Sequence, residues 1–152
     1  QKGLWVDIYA EIKKPINKIS NIKTGSALLY VMAGITKTSL RLDDCLLVND
    51  NGNIIESISS NIFFFFYGTL YTSPITDGCV DGVMRKQVLE LAKQHKLLAF
   101  EQSLTVHTLT DGDEVFLTNA IKGIQWVGQF KNKFYTNQKA LFFTEKLNEL
   151  TK

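Results

Sequence analysis

The stretch ESISSNIFFFFYGTLYT, residues 56–72, decides how this chain is read. Its four consecutive phenylalanines, Phe63 to Phe66, are bounded by Asn61 and Gly68, far short of the roughly 20 apolar residues that a membrane-spanning helix needs. A short apolar run rich in aromatics and closed by turn signals fits a strand buried on both faces. "YGT" supplies the turn, and "LYTSP" the partner strand. The phenylalanines are then core, and Glu56, one small polar run upstream, stands at the end of the preceding strand.

Outward from that strand the chain alternates strand-like and helix-like segments. Residues 4–10 read as a strand and 11–22, with Pro15, as a loop or linker. "KKPINK", the one local basic cluster, reads as a solvated part of that loop. Thr24 to Lys37 suits a helix with Leu28, Leu29, Val31, Met32 and Ile35 as its apolar face. "CLLVND" and "NIIES" are strands joined by the hairpin turn "NDNGN". Residues 83–95 form a helix with Val88, Leu91 and Ala92 on one face. "LLAFEQSL", "DEVFLTNA" and "GIQWVGQF" are further strands, and 137–150 is an amphipathic helix with Ala140, Phe143, Leu147 and Leu150 in register. The class is mixed α+β with several antiparallel hairpins.

Composition narrows the function. At 152 residues, 45% hydrophobic and 21% charged, the chain suits one soluble domain with a real core. A net charge of +2 with dispersed lysines argues against nucleic acid as a partner, because a phosphate-binding face concentrates its basic residues. Cys45 and Cys79 lie far apart without metal-ligand spacing, so no metal is expected, and reduced thiols point to the cytoplasm. The chain opens without Met and enters a strand within a few residues, which reads as a fragment lacking an N-terminal portion. No P-loop, GxGxxG, HExxH or GxSxG is present, and His95 and His107 read as surface or helix-end residues.

Four small-residue junctions remain. "NIKTGSALLY" places Lys23 just before a helix. "IIESISSN" places Glu56 at a strand end. "GCVDGVMR" places Gly82 where a helix begins, and "FLTNA" ends a strand. Each is weak alone. Together they meet three demands of one cofactor. A phosphate suits a helix N-terminus, where free N–H groups and the dipole favour negative charge. An aldehyde needs a lysine amine kept reactive by a depressed pKa. A pyridine nitrogen needs a carboxylate to keep it protonated. That cofactor is pyridoxal 5'-phosphate.

The order and wording of these motifs, from about Ile22 to Val127, resemble the class IV aminotransferase family. That family holds branched-chain and D-amino-acid aminotransferases and 4-amino-4-deoxychorismate lyases. The resemblance implies the D-amino-acid aminotransferase-like fold (fold type IV), with this chain as its large C-terminal pseudo-barrel domain with flanking helices. Residues 1–22 would be the end of the interdomain region and the first strand, and 23–152 the cofactor-binding domain. The small N-terminal domain would be absent.

By matching position, Lys23 is the lysine that condenses with the cofactor aldehyde, and Glu56 holds the pyridine nitrogen. Ser59 and Ser60 present backbone to the cofactor, and Val80 packs against its ring. Gly82, Val83 and Met84 open the helix under the phosphate, and Asn119 and Ala120 form the second phosphate turn. Asp81, where the family has Asn or Pro, is expected to point away from the phosphate.

"GVMR" in place of "GITR", Leu28 in place of a tyrosine five residues after the lysine, and "NA" at the second phosphate turn depart from the aminotransferases. Met84 and Asn119–Ala120 are similar to the lyase. The resemblance therefore implies a lyase forming 4-aminobenzoate and pyruvate in folate biosynthesis, with an aminotransferase on branched-chain or D-amino acids as the alternative. A non-catalytic domain of the same fold is the third reading. The implied partners are a small-molecule substrate and a second copy in a homodimer, with no membrane.

Overall fold

The computed structural model describes residues 2–23 and 27–152. Its strands are β1 (Leu4–Lys14), β2 (Asp44–Asn49), β3 (Ile54–Ser57), β4 (Asn61–Phe66), β5 (Thr69–Thr72), β6 (Ala99–Glu101), β7 (Glu114–Asn119), β8 (Gly123–Phe130) and β9 (Lys133–Phe134). Its helices are α1 (Leu28–Ser39), α2 (Val83–Gln94), α3 (Val106–Asp111) and α4 (Gln138–Leu150). Six strands close on themselves in the order β3-β2-β1-β8-β7-β4, the ring being completed where Glu56 of β3 pairs with Asn61 of β4. The strands β5 and β6 extend the sheet outward from β4.

The phenylalanine strand is the hinge of this architecture. Asn61 to Phe65 are all buried, and the period-2 alternation of a strand sends them to opposite faces. Ile62 and Phe64 join Val6, Leu46, Ile54, Val115, Leu117 and Val127, a cluster fed by all six ring strands and therefore the barrel interior. Phe63 and Phe65 face outward and meet Val88, Leu91 and Ala92 of α2 and Ala140 and Phe143 of α4. Phe63 stacks on Phe116 at 5.3 Å, and Phe143 lies 6.2 Å from Phe65 and 5.8 Å from Phe116. One strand thus belongs to two cores, which is why Ile62 to Phe65 are all apolar. The turn that follows has positive φ at both Tyr67 (47°) and Gly68 (75°), the handedness that matches a twisted two-residue hairpin. Among the described residues no helix is long and apolar enough to cross a membrane.

Several segments depart from expectation. The strand β1 continues through Lys14 and does not give way to a loop at residue 11. It pairs in parallel with both β2 and β8, so the barrel itself holds it extended. The helix expected from Thr24 is described from Leu28, and Thr24 to Ser26 lie outside the described residues. Its core-facing side is Leu29, Met32 and Ala33, against Tyr9, Leu47 and Cys79, whereas Leu28, Val31 and Ile35 are exposed.

Of "LLAFEQSL" only Ala99–Glu101 is strand. The chain then leaves β5, and Leu104 bridges to Ile54 across the barrel. The short helix α3 was unmarked by periodicity because it has only six residues. It is started by reciprocal capping, Thr108 N–H donating to Thr105 Oγ1 at 3.2 Å and Thr105 N–H to Thr108 Oγ1 at 2.8 Å. In α4, Ala140 and Phe143 are buried as expected and Leu150 is exposed at the helix end.

Candidate active site

A cleft of about 660 Å³ opens at one end of the barrel. The strand ends set its position: β1 delivers Lys14, β3 delivers Glu56, β4 begins at Asn61, and β7 ends at Thr118 and Asn119. Lys23 and Glu56 line this cleft, as do Ser59 and Ser60 of the β3–β4 turn. Val80, Gly82, Val83 and Met84 line it from the start of α2, and Asn119 and Ala120 from the β7–β8 turn. Every residue singled out in the sequence as a site residue therefore borders one cavity, although they come from segments far apart in the chain.

Glu56 is its best-defined group. It is 2% exposed, and its carboxylate accepts three hydrogen bonds. Lys14 Nζ donates to Oε1 at 2.7 Å, Tyr30 Oη to Oε1 at 2.8 Å, and the Val80 N–H to Oε2 at 2.8 Å. Lys14 is itself buried, with its ammonium 5.8 Å from the centre of the Tyr30 ring. Burial, then the negative charge of Glu56, pushes the Tyr30 phenol well above its ordinary range, so the hydroxyl stays a donor.

Lys14 overturns the reading of "KKPINK" as a solvated loop: its second lysine ends a barrel strand and is ion-paired inside the cleft. No alternation could have revealed it, because the β1–β2 register shifts between Tyr9 and Lys14. Tyr30 was visible only as a helix residue close after Lys23. Lys23 is exposed at the cleft edge, and among the described residues nothing is hydrogen-bonded or ion-paired to its amine.

The segment before α2 is held by hydrogen bonds to Asn21 and Asn61. Asn21 Nδ2 donates to Cys79 O at 2.7 Å, Asn61 Nδ2 to Val80 O at 2.7 Å, and the Asp81 N–H to Asn21 O at 3.0 Å. Gly82 is the helix cap and offers no side chain to the first-turn N–H groups, and the first-turn residues Val83 and Met84 border the cleft. Its φ of −70° is ordinary. What demands glycine is a neighbour: a Cβ there would overlap Asn61 Oδ1. Asp81 borders the cleft, but its carboxylate is matched by Lys86 at 2.9 Å and Arg85 at 3.9 Å.

The second turn is built by Asn119. Its Oδ1 accepts from the N–H groups of Ile121 (2.9 Å) and Lys122 (2.7 Å), and its Nδ2 reaches Ser59 O (3.2 Å) and Ser60 Oγ (3.3 Å). The side chain is thus consumed in shaping the turn. Beside it, Thr118 Oγ1 is buried and has no partner among the described residues.

The residues present fit pyridoxal phosphate. Two carboxylate oxygens offer about four acceptor positions, and Glu56 uses three, leaving one on Oε2 for a ring N–H. The open α2 N-terminus and the orphaned Thr118 hydroxyl are donors in want of an acceptor, and Lys23 is an available amine. Among the described residues no group of His, Cys, Asp and Glu could hold a metal ion.

A closed six-stranded barrel with helices on its flank, and a cleft of this kind at its mouth, is the fold type IV architecture of the class IV aminotransferases. The family model "Amino-transferase class IV" matches residues 3–130, and the chain belongs to that family. A Methanocaldococcus jannaschii protein provisionally named a branched-chain-amino-acid aminotransferase is 30% identical over 128 residues, 84% of this chain and 44% of that protein. The crystal structure of a Legionella pneumophila protein, provisionally named a 4-amino-4-deoxychorismate lyase, superposes with a TM-score of 0.92 at 25% identity, covering 98% of this chain and 56% of that one. The Escherichia coli branched-chain amino acid aminotransferase shares the fold, with a TM-score of 0.92 at 22% identity over 97% of this chain and 52% of its own. The chain spans about half the length of the curated relatives it matches.

Proposed function

We propose that this chain is the pyridoxal-phosphate-binding domain of a 4-amino-4-deoxychorismate lyase, acting with a small N-terminal domain as part of a homodimer in the cytoplasm. The observation that carries the cofactor reading is the convergence of an amine (Lys23), a buried carboxylate (Glu56) and a helix N-terminus on one cleft. Met84 and the Asn119–Ala120 turn favour the lyase, through their similarity to that branch of the family.

When bound, pyridoxal phosphate supplies an aldehyde that captures the substrate amine and a ring that draws electrons from the adjoining carbon. The rest of the task falls to the chain. Lys23 Nζ stands at the cleft edge as the base that removes the proton from the carbon bearing the amine. Glu56, ion-paired to Lys14 in a buried site, would hold the ring N–H. The first turn of α2, with Val83 and Met84, and the main chain of Ala120 bind the phosphate through N–H groups. Thr118 Oγ1 adds a hydroxyl beside them. Val80 covers the ring with its side chain while its N–H fixes Glu56. Loss of the enolpyruvyl group is driven by aromatisation of the product.

The alternative, an aminotransferase on branched-chain or D-amino acids, is favoured by the 30% identity to the M. jannaschii protein. The two separate cleanly in an assay of the full-length protein. Pyruvate and 4-aminobenzoate formed from aminodeoxychorismate with no keto acid present support the lyase. Turnover only of amino acids, and only with 2-oxoglutarate, replaces it with the aminotransferase.

A further inference from the structure

We infer that Lys14, with Tyr30, is a positioning residue that keeps the proton between Glu56 and the cofactor's ring nitrogen on the ring. This rests on the pyridoxal phosphate reading above and adds a residue to it that no sequence motif marks.

The geometry carries the inference. Lys14 Nζ lies 2.7 Å from Glu56 Oε1, and Tyr30 Oη donates to the same oxygen at 2.8 Å. With two donors, one of them a cation, Oε1 is saturated. Only Oε2, already oriented by the Val80 N–H at 2.8 Å, retains an acceptor position. A ring N–H is thus met by one oxygen in one orientation.

The cation also fixes charge. A proton shared between a carboxylate and a pyridine rests either on the carboxyl, leaving both neutral, or on the ring, leaving an ion pair. In the second state Lys14 attracts the carboxylate and repels the pyridinium. A ring N–H bonded to Oε2 would lie farther from Nζ than Oε1 does, and Coulomb energy falls with distance, so attraction wins. The pair is nearly dry, with side-chain exposures of 9% for Lys14 and 3% for Glu56, so solvent screens the difference little. Lys14 therefore converts a neutral hydrogen bond into a charge-assisted one, worth about tenfold in affinity.

The test compares two ligands on the full-length protein: pyridoxal phosphate and its carbocyclic analogue, in which C–H replaces the ring nitrogen. Wild type should prefer the natural cofactor. In Lys14→Met that preference should shrink about tenfold, because only the nitrogen contact is weakened, and Lys14→Arg should restore it. Tyr30→Phe should shrink it by less, about threefold, and serves where Lys14→Met does not fold. Equal loss of both ligands, or no change in their ratio, overturns the assignment and leaves Lys14 a structural ion pair. If wild type binds neither ligand, the cofactor reading fails, an outcome distinct from the other two.

Discussion

Substituting Gly82 by alanine tests how the cleft is assembled. The residue has φ −70° and ψ 145°, a conformation alanine adopts freely, so no backbone strain arises. Alanine is a poorer helix cap than glycine, but it also lowers unfolded-state entropy, and these terms of about 0.5 kcal/mol each offset one another. The cost comes from Asn61. A Cβ at residue 82 would overlap Asn61 Oδ1, with Asn61 Cγ at 3.4 Å behind it. The amide must turn away and surrender its 2.7 Å bond to Val80 O. Asn61 is 6% exposed and Val80 half-buried at the cleft wall, so water makes up only part of the lost bond. The expected cost is about 2 kcal/mol, a fall in melting temperature of roughly 4–8 °C for a domain of this size.

A double-mutant cycle isolates the cause. In an Asn61→Ala background the obstacle is gone, and Gly82→Ala should be nearly neutral, giving a coupling of about 2 kcal/mol. Thermal and denaturant unfolding followed by circular dichroism measure all four proteins. An equal cost of Gly82→Ala in both backgrounds would refute the argument.

Lys23→Ala should abolish the visible absorbance of bound pyridoxal phosphate and its borohydride trapping on the chain. Peptide mapping is the check, and an adduct found on Lys14, the other lysine of the cleft, would reassign the amine. Cys45 and Cys79 are buried thiols whose pKa burial pushes up to about 11. Only about one molecule in a thousand is thiolate at pH 8, and iodoacetamide should leave the native protein unmodified while labelling both cysteines once it is unfolded. Rapid labelling of the native state by mass spectrometry would contradict their placement in the core against α1.

Local physics made much of this protein legible from its residues. Phe63 to Phe66 could only be a doubly buried strand, Tyr67–Gly68 and the "NDNGN" segment could only be tight turns, and Gly82 before an amphipathic run could only start a helix. These are short-range consequences of side-chain period and backbone freedom, whereas the grouping of Lys23, Glu56, Gly82 and Asn119 into one site rests on the order of four small-residue junctions and their resemblance to the class IV family. Tertiary structure decided what depends on partners distant in sequence. Lys14 looks like any lysine beside a proline until the β1 register shift turns it toward Glu56, 42 residues away. Only the folded chain shows that Gly82 makes room for Asn61, that Asn119 spends its side chain on its own turn, and that Leu28 faces outward from α1 while Leu29 faces inward. A strand reveals its two faces to anyone who counts by twos, but which oxygen of a buried carboxylate is left free is settled only when the barrel closes around it.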